Sequence, residues 1–238
     1  RLVGTFGTAG LLSLDKGKNI TAMQGGLIVT NRDDLAEVLQ RRQSALAAGG
    51  VTDAFKEYIK LLVYGVFLHP RLYWIPGGLP FLRLGETRYE EAYPLGPLLA
   101  GLAPIALAQF KRLDSITRRR VEVASWYQDS SPCGSLIRQV EVVDDARPVY
   151  LRFPLRILDP ELRSRVLRAG ARLGVTGSYP RAIADIPEVS DRLTVHHGRC
   201  DQARAIAREI VTLPTHAFVT REDVASIVRL LREGFEAH

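Results

Sequence analysis

Cysteine is scarce in this 238-residue chain. Cys133 and Cys200 are the only two, so a disulfide framework is excluded and a reduced, cytosolic setting fits. Long apolar runs are missing as well. "LLVYGVFL" at 61–68 is far too short to span a bilayer, which leaves burial in a core or an interface. No basic patch interleaved with aromatics is present, so nucleic acid is not an expected partner. No "G-x-S-x-G" occurs, which removes the usual serine-hydrolase reading. Histidine and cysteine gather only in "HHGRC" at 196–200. A zinc site needs three or four converging ligands, and no second cluster exists to complete one with His196, His197 and Cys200. That run reads as a polar loop before a helix, and no metal is expected.

What is present is ordinary for a globular protein: 46% hydrophobic and 24% charged residues, enough for a sizeable core. The net charge is +6, with arginines spread over helical patterns. Most of these read as solvated faces, though such a field also favours a phosphate-bearing substrate.

Residues 1–31 read as strand, loop, strand: "TAGLLSL", a lysine loop, then "GGLIVT". Both strands are nearly continuous apolar runs, which suits a sheet buried on both faces. Too few helices surround them to cover two faces, so an exposed apolar face is expected at Leu11, Leu12, Leu14, Leu27, Ile28 and Val29. A helix capped by Asn31 or Asp33 should begin near Asp34 and end at the glycines 49–50. A second helix covers about 53–68, with Phe55, Ile59, Leu62 and Val63 on one face. Residues 69–97 are irregular. A long helix runs from about 98 to 127, and Pro104 predicts a kink or a break in it.

The texture then changes to α+β. "VYLRFPLRIL" alternates like a strand. "DPELRSRVLRAGARLG" is a helix with Asp159 at its N-cap, Pro160 first inside it and Gly174 at its end. "VTGSYP" is extended, and "CDQARAIAREIVTLP" reads as a helix. A final helix is capped by Thr220, with Asp223 three residues on as in a capping box. The chain divides into 1–97 and 98–238 on this reading.

The lysine loop carries the chemistry. Lys16 and Lys18 could be solvated loop residues, or one could be a reactive amine held near a phosphate by Ser13 and the small residues Thr8, Gly10 and Gly17. Composition does not choose between these. Residue order does. "GTFGTAGLLSLDKGKNITAMQGGLIVTNRDDLAEVLQRR" resembles the lysine segment of the DegT/StrS sugar aminotransferases, a branch of the fold-type-I pyridoxal phosphate enzymes. Three later blocks follow in the family's order: "LAQFKRLDSITRRRVEVASWY", "GVTGSYP" and "CDQARAIAREIVTLPTHAFVTREDV".

The resemblance implies an α/β chain: the C-terminal part of a fold-type-I pyridoxal phosphate-binding large domain plus a smaller α+β C-terminal domain. It also implies Lys18 as the Schiff-base lysine, with Ser13, Lys18 and Asn19 binding pyridoxal 5'-phosphate. Tyr179, His216 and Gln24 would contact the substrate. The implied reaction moves an amino group from an amino acid such as glutamate to a nucleotide-linked keto-sugar, in a homodimer. Two alternatives stand beside it: a non-catalytic binding or assembly subunit, and a sugar dehydratase of the same fold, whose lysine is replaced by histidine in the family.

Three departures from the family pattern are visible. Gln24 stands where an acidic residue is usual, and "YEEAYPLGPLLAG" lacks the family's asparagine. The chain opens at Arg1 inside a strand-like pattern, so a preceding N-terminal portion is expected to supply the rest of the cofactor site.

Overall fold

The computed structural model describes residues 2, 4–47, 50–67, 95–99, 101–179, 181–193 and 200–236. The expectations for 69–97 fall almost wholly outside the described residues, as do those for His196 and His197 and for the first glycine of the 49–50 pair. The described residues form two compact units, one running to residue 67 and including 95–115, the other beginning at Ile116.

In the first unit, β1 (Gly10–Ser13) pairs antiparallel with β2 (Gly26–Val29), with Leu12 opposite Leu27 and Leu11 opposite Ile28. Successive side chains alternate in direction, so one apolar pair lies on each face of this two-stranded sheet. Both pairs are exposed: Leu11 and Ile28 at 80% and 53%, Leu12 and Leu27 at 43% and 44%. Val29 is exposed too, whereas Leu14 is buried at 2%. The uncovered apolar face is therefore present at five of the six positions, and Leu14 departs because it leaves the strand to join a small core. That core contains Leu14, Ala22 and Leu102, flanked by Ile20, Leu61, Leu98, Leu99, Ile105 and Ala106.

Helix α1 (Asp33–Ser44) starts one residue early, with Arg32 at the N-cap and no side-chain cap. Asp33 and Asp34 instead sit in its first turn, where negative charge meets the positive end of the helix dipole. Helix α2 is Val51–Phe67. Its predicted apolar face exists, but Phe55, Ile59, Leu62 and Val63 are all exposed within this chain. The long helix is two: α3 (Leu102–Phe110) and α4 (Leu113–Ser130). The break falls at Lys111–Arg112, not at Pro104. Pro104 is the third residue of α3, where its missing N–H has no intrahelical partner to lose.

The second unit is built on an antiparallel sheet in the order β3-β4-β5, with strands Ile137–Gln139, Arg152–Ile157 and Ile210–Pro214. Phe153, Leu155 and Ile157 alternate inward from β4, joined by Ile137, Val211 and Leu213. They meet Val123, Ala124 and Tyr127 of α4, Leu162 and Val166 of α5 (Pro160–Gly170), and Val224, Ile227, Val228 and Leu231. Short α6 (Pro187–Ser190) and α7 (Asp201–Glu209) follow, and α8 (Arg221–Glu236) closes the chain. The helix predicted over 200–214 thus ends at Glu209 and becomes β5. Ile210, Val211 and Thr212 are β-branched, and their backbone pairs with β4 from Arg152 to Arg156.

Local signals were followed closely elsewhere. Asp159 accepts from the Leu162 N–H at 2.6 Å and Pro160 opens α5. Thr220 and Asp223 cap α8 reciprocally, at 3.1 Å and 2.8 Å. Gly174, at φ +80°, ends the single 3-10 turn that extends α5. The guanidinium groups of Arg119 and Arg221 both lie over the Trp126 ring, at 4.8 and 4.4 Å from its centroid.

One buried hydroxyl ties the open side of this sheet together. Thr212 is 5% exposed. It takes a hydrogen bond from Arg152 Nε at 2.7 Å and lies 3.1 Å from the Thr176 hydroxyl and 2.9 Å from that of Ser178. Two backbone bonds between Thr176 and Thr212 add the 176 segment to the edge of β5. Thr212→Val should therefore destabilise the protein by about 1–3 kcal/mol, because a guanidinium and two hydroxyls lose a shared buried partner. Thr212→Ser, which keeps the oxygen, should stay near wild type; denaturant melts of the two variants check this.

Candidate active site

The segment between β1 and β2 folds back on itself rather than looping freely. Leu14 N–H donates to Gly25 O at 2.9 Å, and Leu14 O accepts from Ala22 N–H at 2.8 Å and from the Thr21 hydroxyl at 3.1 Å. Asp15 bridges to Met23. These bonds leave 16–20 as the tip, exposed at Lys16, Gly17 and Lys18 and half-buried at Asn19 and Ile20. Gly17 takes φ +76°, a conformation that glycine adopts without strain, and nothing lies within 4 Å of where its Cβ would be.

Ser13 ends β1 and is exposed; its hydroxyl accepts from the Asp15 N–H at 3.2 Å and can still donate outward. Lys18 is exposed, with its backbone N–H directed to Asp15 O at 3.4 Å. Asn19 is half-buried, and its Oδ1 is buried without a hydrogen-bond partner among the described residues. Gln24 is exposed on the returning arm. Ser13, Lys18, Asn19 and Gln24 thus share one ordered loop of the first unit.

Tyr179 and His216 belong to the second unit. Tyr179 is 66% exposed and holds φ +57°, which is uncommon for a side chain with a Cβ. The hydroxyls of Thr176 and Ser178, anchored on Thr212, fix the chain just before it. His216 follows the buried Thr215 and meets Phe218 edge-on, with centroids 6.1 Å apart. The residue is exposed, yet partial burial lowers its pKa below the ordinary 6.5, aided by the positive charges of Arg120 and Arg152 and opposed by Asp223. Arg120 is itself committed to structure, donating to Leu151 O at 2.8 Å and to the Thr215 hydroxyl at 3.2 Å.

Sequence reasoning passed over Gln109. Its side-chain amide meets both backbone groups of Thr21: Oε1 accepts from N–H at 3.1 Å, and Nε2 donates to C=O at 2.7 Å. The signal was present, since Gln109 is the one polar side chain in the α3 run "LAPIALAQF". Among the described residues no group of three or more His, Cys, Asp or Glu could hold a metal, and no helix is long and apolar enough to cross a membrane.

The profile of the DegT/DnrJ/EryC1/StrS aminotransferase family matches residues 1–67 and 98–232. The chain belongs to that family. GDP-perosamine synthase of Caulobacter vibrioides is 24% identical over 235 residues, covering 96% of this chain and 53% of that protein. The crystal structure of the aminotransferase TlmJ from Streptoalloteichus hindustanus superimposes with a TM-score of 0.68 at 21% identity, covering 100% of this chain and 54% of that one. The E. coli GDP-4-keto-6-deoxy-D-mannose-3-dehydratase, solved with hydrated pyridoxal phosphate, gives 0.63 at 17% identity, covering 97% and 56%. The chain spans about half the length of the relatives it matches. The mixed α and β fold is that of these family structures.

The residues on the loop of this family member fit pyridoxal phosphate. They offer a primary amine at the loop tip, a hydroxyl with a free donor at the strand end and a backbone open at Gly17. Independently of any ligand, the His216 shift has a consequence for stability. Its folded pKa lies below the unfolded value, so its contribution is complete above pH 6.5 and is lost as pH falls through the folded pKa. Because the ring is partly solvated the slope should be shallow. Melting temperatures from pH 8 to 5 should fall more steeply for wild type than for His216→Gln.

Proposed function

We propose that this chain is the lysine-bearing part of a pyridoxal phosphate-dependent sugar aminotransferase. The observation that carries the reading is the lysine loop, in which a family member presents Lys18 and Ser13 together on a self-bonded turn between two strands. The acceptor is a keto-sugar carried on a nucleotide, and the donor is an amino acid such as glutamate. The net charge of +6 supports an anionic substrate of this kind. The enzyme works in a reducing compartment, in keeping with two free cysteines. It works as a homodimer, and the exposed apolar surfaces of the β1–β2 sheet and α2 support coverage by other polypeptide.

Bound at this loop, pyridoxal phosphate supplies an aldehyde and an electron-withdrawing ring, which allow an amino group to leave the donor and be delivered to the acceptor. Four of the chain's own residues have tasks. Lys18 holds the cofactor through Nζ. Once released, the same nitrogen takes a proton from the donor's α-carbon and returns one later, so a single amine both anchors and moves protons. The Ser13 hydroxyl donates to the phosphate. Gly17, at φ +76°, allows the turn that leads into Lys18. Exposed Tyr179 offers an aromatic face and a hydroxyl to the sugar. A dehydratase of this fold would carry histidine at position 18, and the lysine supports transamination instead.

Lys18→Ala should lower transamination by at least about 10²–10⁴-fold, the usual worth of one positioned proton-transfer group. The melting temperature should barely move, because the side chain is exposed. The wild-type protein, treated with borohydride, should retain the cofactor covalently on the peptide containing Lys18, and Lys18→Ala should not. Labelling of another lysine, or unchanged turnover, would end this reading.

A further inference from the structure

We infer that Gln109 is a positioning residue that holds the tip of the lysine loop in place through the backbone of Thr21. The inference rests on the reading of Lys18 as the reacting amine. Thr21 stands three positions after Lys18 and is the node of the loop. Inside the loop, its hydroxyl donates to Leu14 O at 3.1 Å and accepts from Met23 N–H at 3.0 Å. Outside the loop, its N–H and C=O are both engaged by Gln109, at 3.1 and 2.7 Å. The Nε2 group of Gln109 also reaches its own helix at Ile105 O, 3.3 Å away, which fixes the amide plane.

A primary amide is the side chain that matches this task. The backbone presents one donor and one acceptor on the same residue, and an amide answers with one acceptor and one donor at the same spacing. A carboxylate keeps the acceptor but sets an oxygen against the Thr21 carbonyl. An aliphatic side chain of similar size leaves both backbone groups unpaired in a half-buried position. The rest of α3 is apolar, and Gln109 reaches Thr21 across 88 positions of sequence. The hydrophobic contacts of Leu14, Ala22 and Leu102 press the loop root against α3 but have no direction. The two hydrogen bonds supply direction. They set where the 16–20 tip stands, and with it the origin of the Lys18 side chain. A nitrogen that must both hold a cofactor and move protons tolerates little spread in that origin.

The test uses the complete enzyme and three proteins: wild type, Gln109→Glu and Gln109→Leu. Amide hydrogen exchange is followed at Thr21 and Ala22, with β4 amides as an internal reference. Exchange in the loop should quicken by roughly tenfold or more in Gln109→Leu, less in Gln109→Glu, and stay unchanged in β4. In the same order kcat should fall, about tenfold in Gln109→Leu, while KM for the amino donor changes less than about twofold. Loop exchange at the wild-type rate in Gln109→Leu would overturn the proposal, whatever happens to activity. So would equal quickening in loop and β4, which would mean loss of global stability only. Exchange that responds as expected while Lys18→Ala remains fully active would uphold the clamp and refute the reading of Lys18, so the two failures are distinguishable.

Discussion

The lysine loop closes on one residue. Leu14 buries its side chain against α3, gives its N–H to Gly25 and gives its carbonyl to both Ala22 and Thr21. Its place just past the end of β1 sets the length of the excursion before β2 can resume pairing. If Leu14 moved, the register of Ser13 against Gly26 would move with it. The hydroxyl at the strand end and the amine at the tip therefore take their separation from a buried leucine that touches no substrate. A loop built this way stays accessible without being loose: its tip is solvated while its root is as well bonded as a sheet.

The second unit uses its positive charge differently from what the sequence suggests. Arginines that read as solvated faces turn out to be fastenings. Arg120, Arg152 and Arg163 donate to main-chain carbonyls, and Arg156 pairs with Glu209 at 2.5 Å. Burial lowers the pKa of Arg120 and of Arg163 from the ordinary value, a sign that these guanidinium groups have given up part of their hydration. A planar fork that satisfies several acceptors suits strands whose outer face is only thinly covered. Part of the positive charge is therefore structural, since these guanidinium groups keep their charge while they fasten the backbone.

Features governed by neighbours in the chain were legible in the sequence. Asp159 with Pro160, and Thr220 with Asp223, announce their helices because capping depends on residues no more than three apart. The two apolar strands around the lysine loop were legible for the same reason. Features governed by distant partners were not. β5 was read as helix because the run before it is helical, and only pairing with β4 decides the outcome after Glu209. The break at Lys111–Arg112 has no proline to mark it. In the candidate site, Lys18 and Ser13 were found through the order of residues along one segment. The Gln109 clamp spans 88 positions and could be suspected only from a lone amide in an apolar run.

Trp126 gives the second unit an optical gauge of its own. One guanidinium over its ring comes from α4 and the other from the first residue of α8, so the indole environment depends on the last helix being seated. Unseating α8 would withdraw a charge from the face of the ring and change its emission before the sheet beneath had opened. With Trp74 replaced by phenylalanine, the remaining Trp126 emission is thus a reporter of the final helix, whereas the stacked Tyr127–Phe153 pair, buried against the sheet, would answer in near-ultraviolet dichroism only when the core itself gives way.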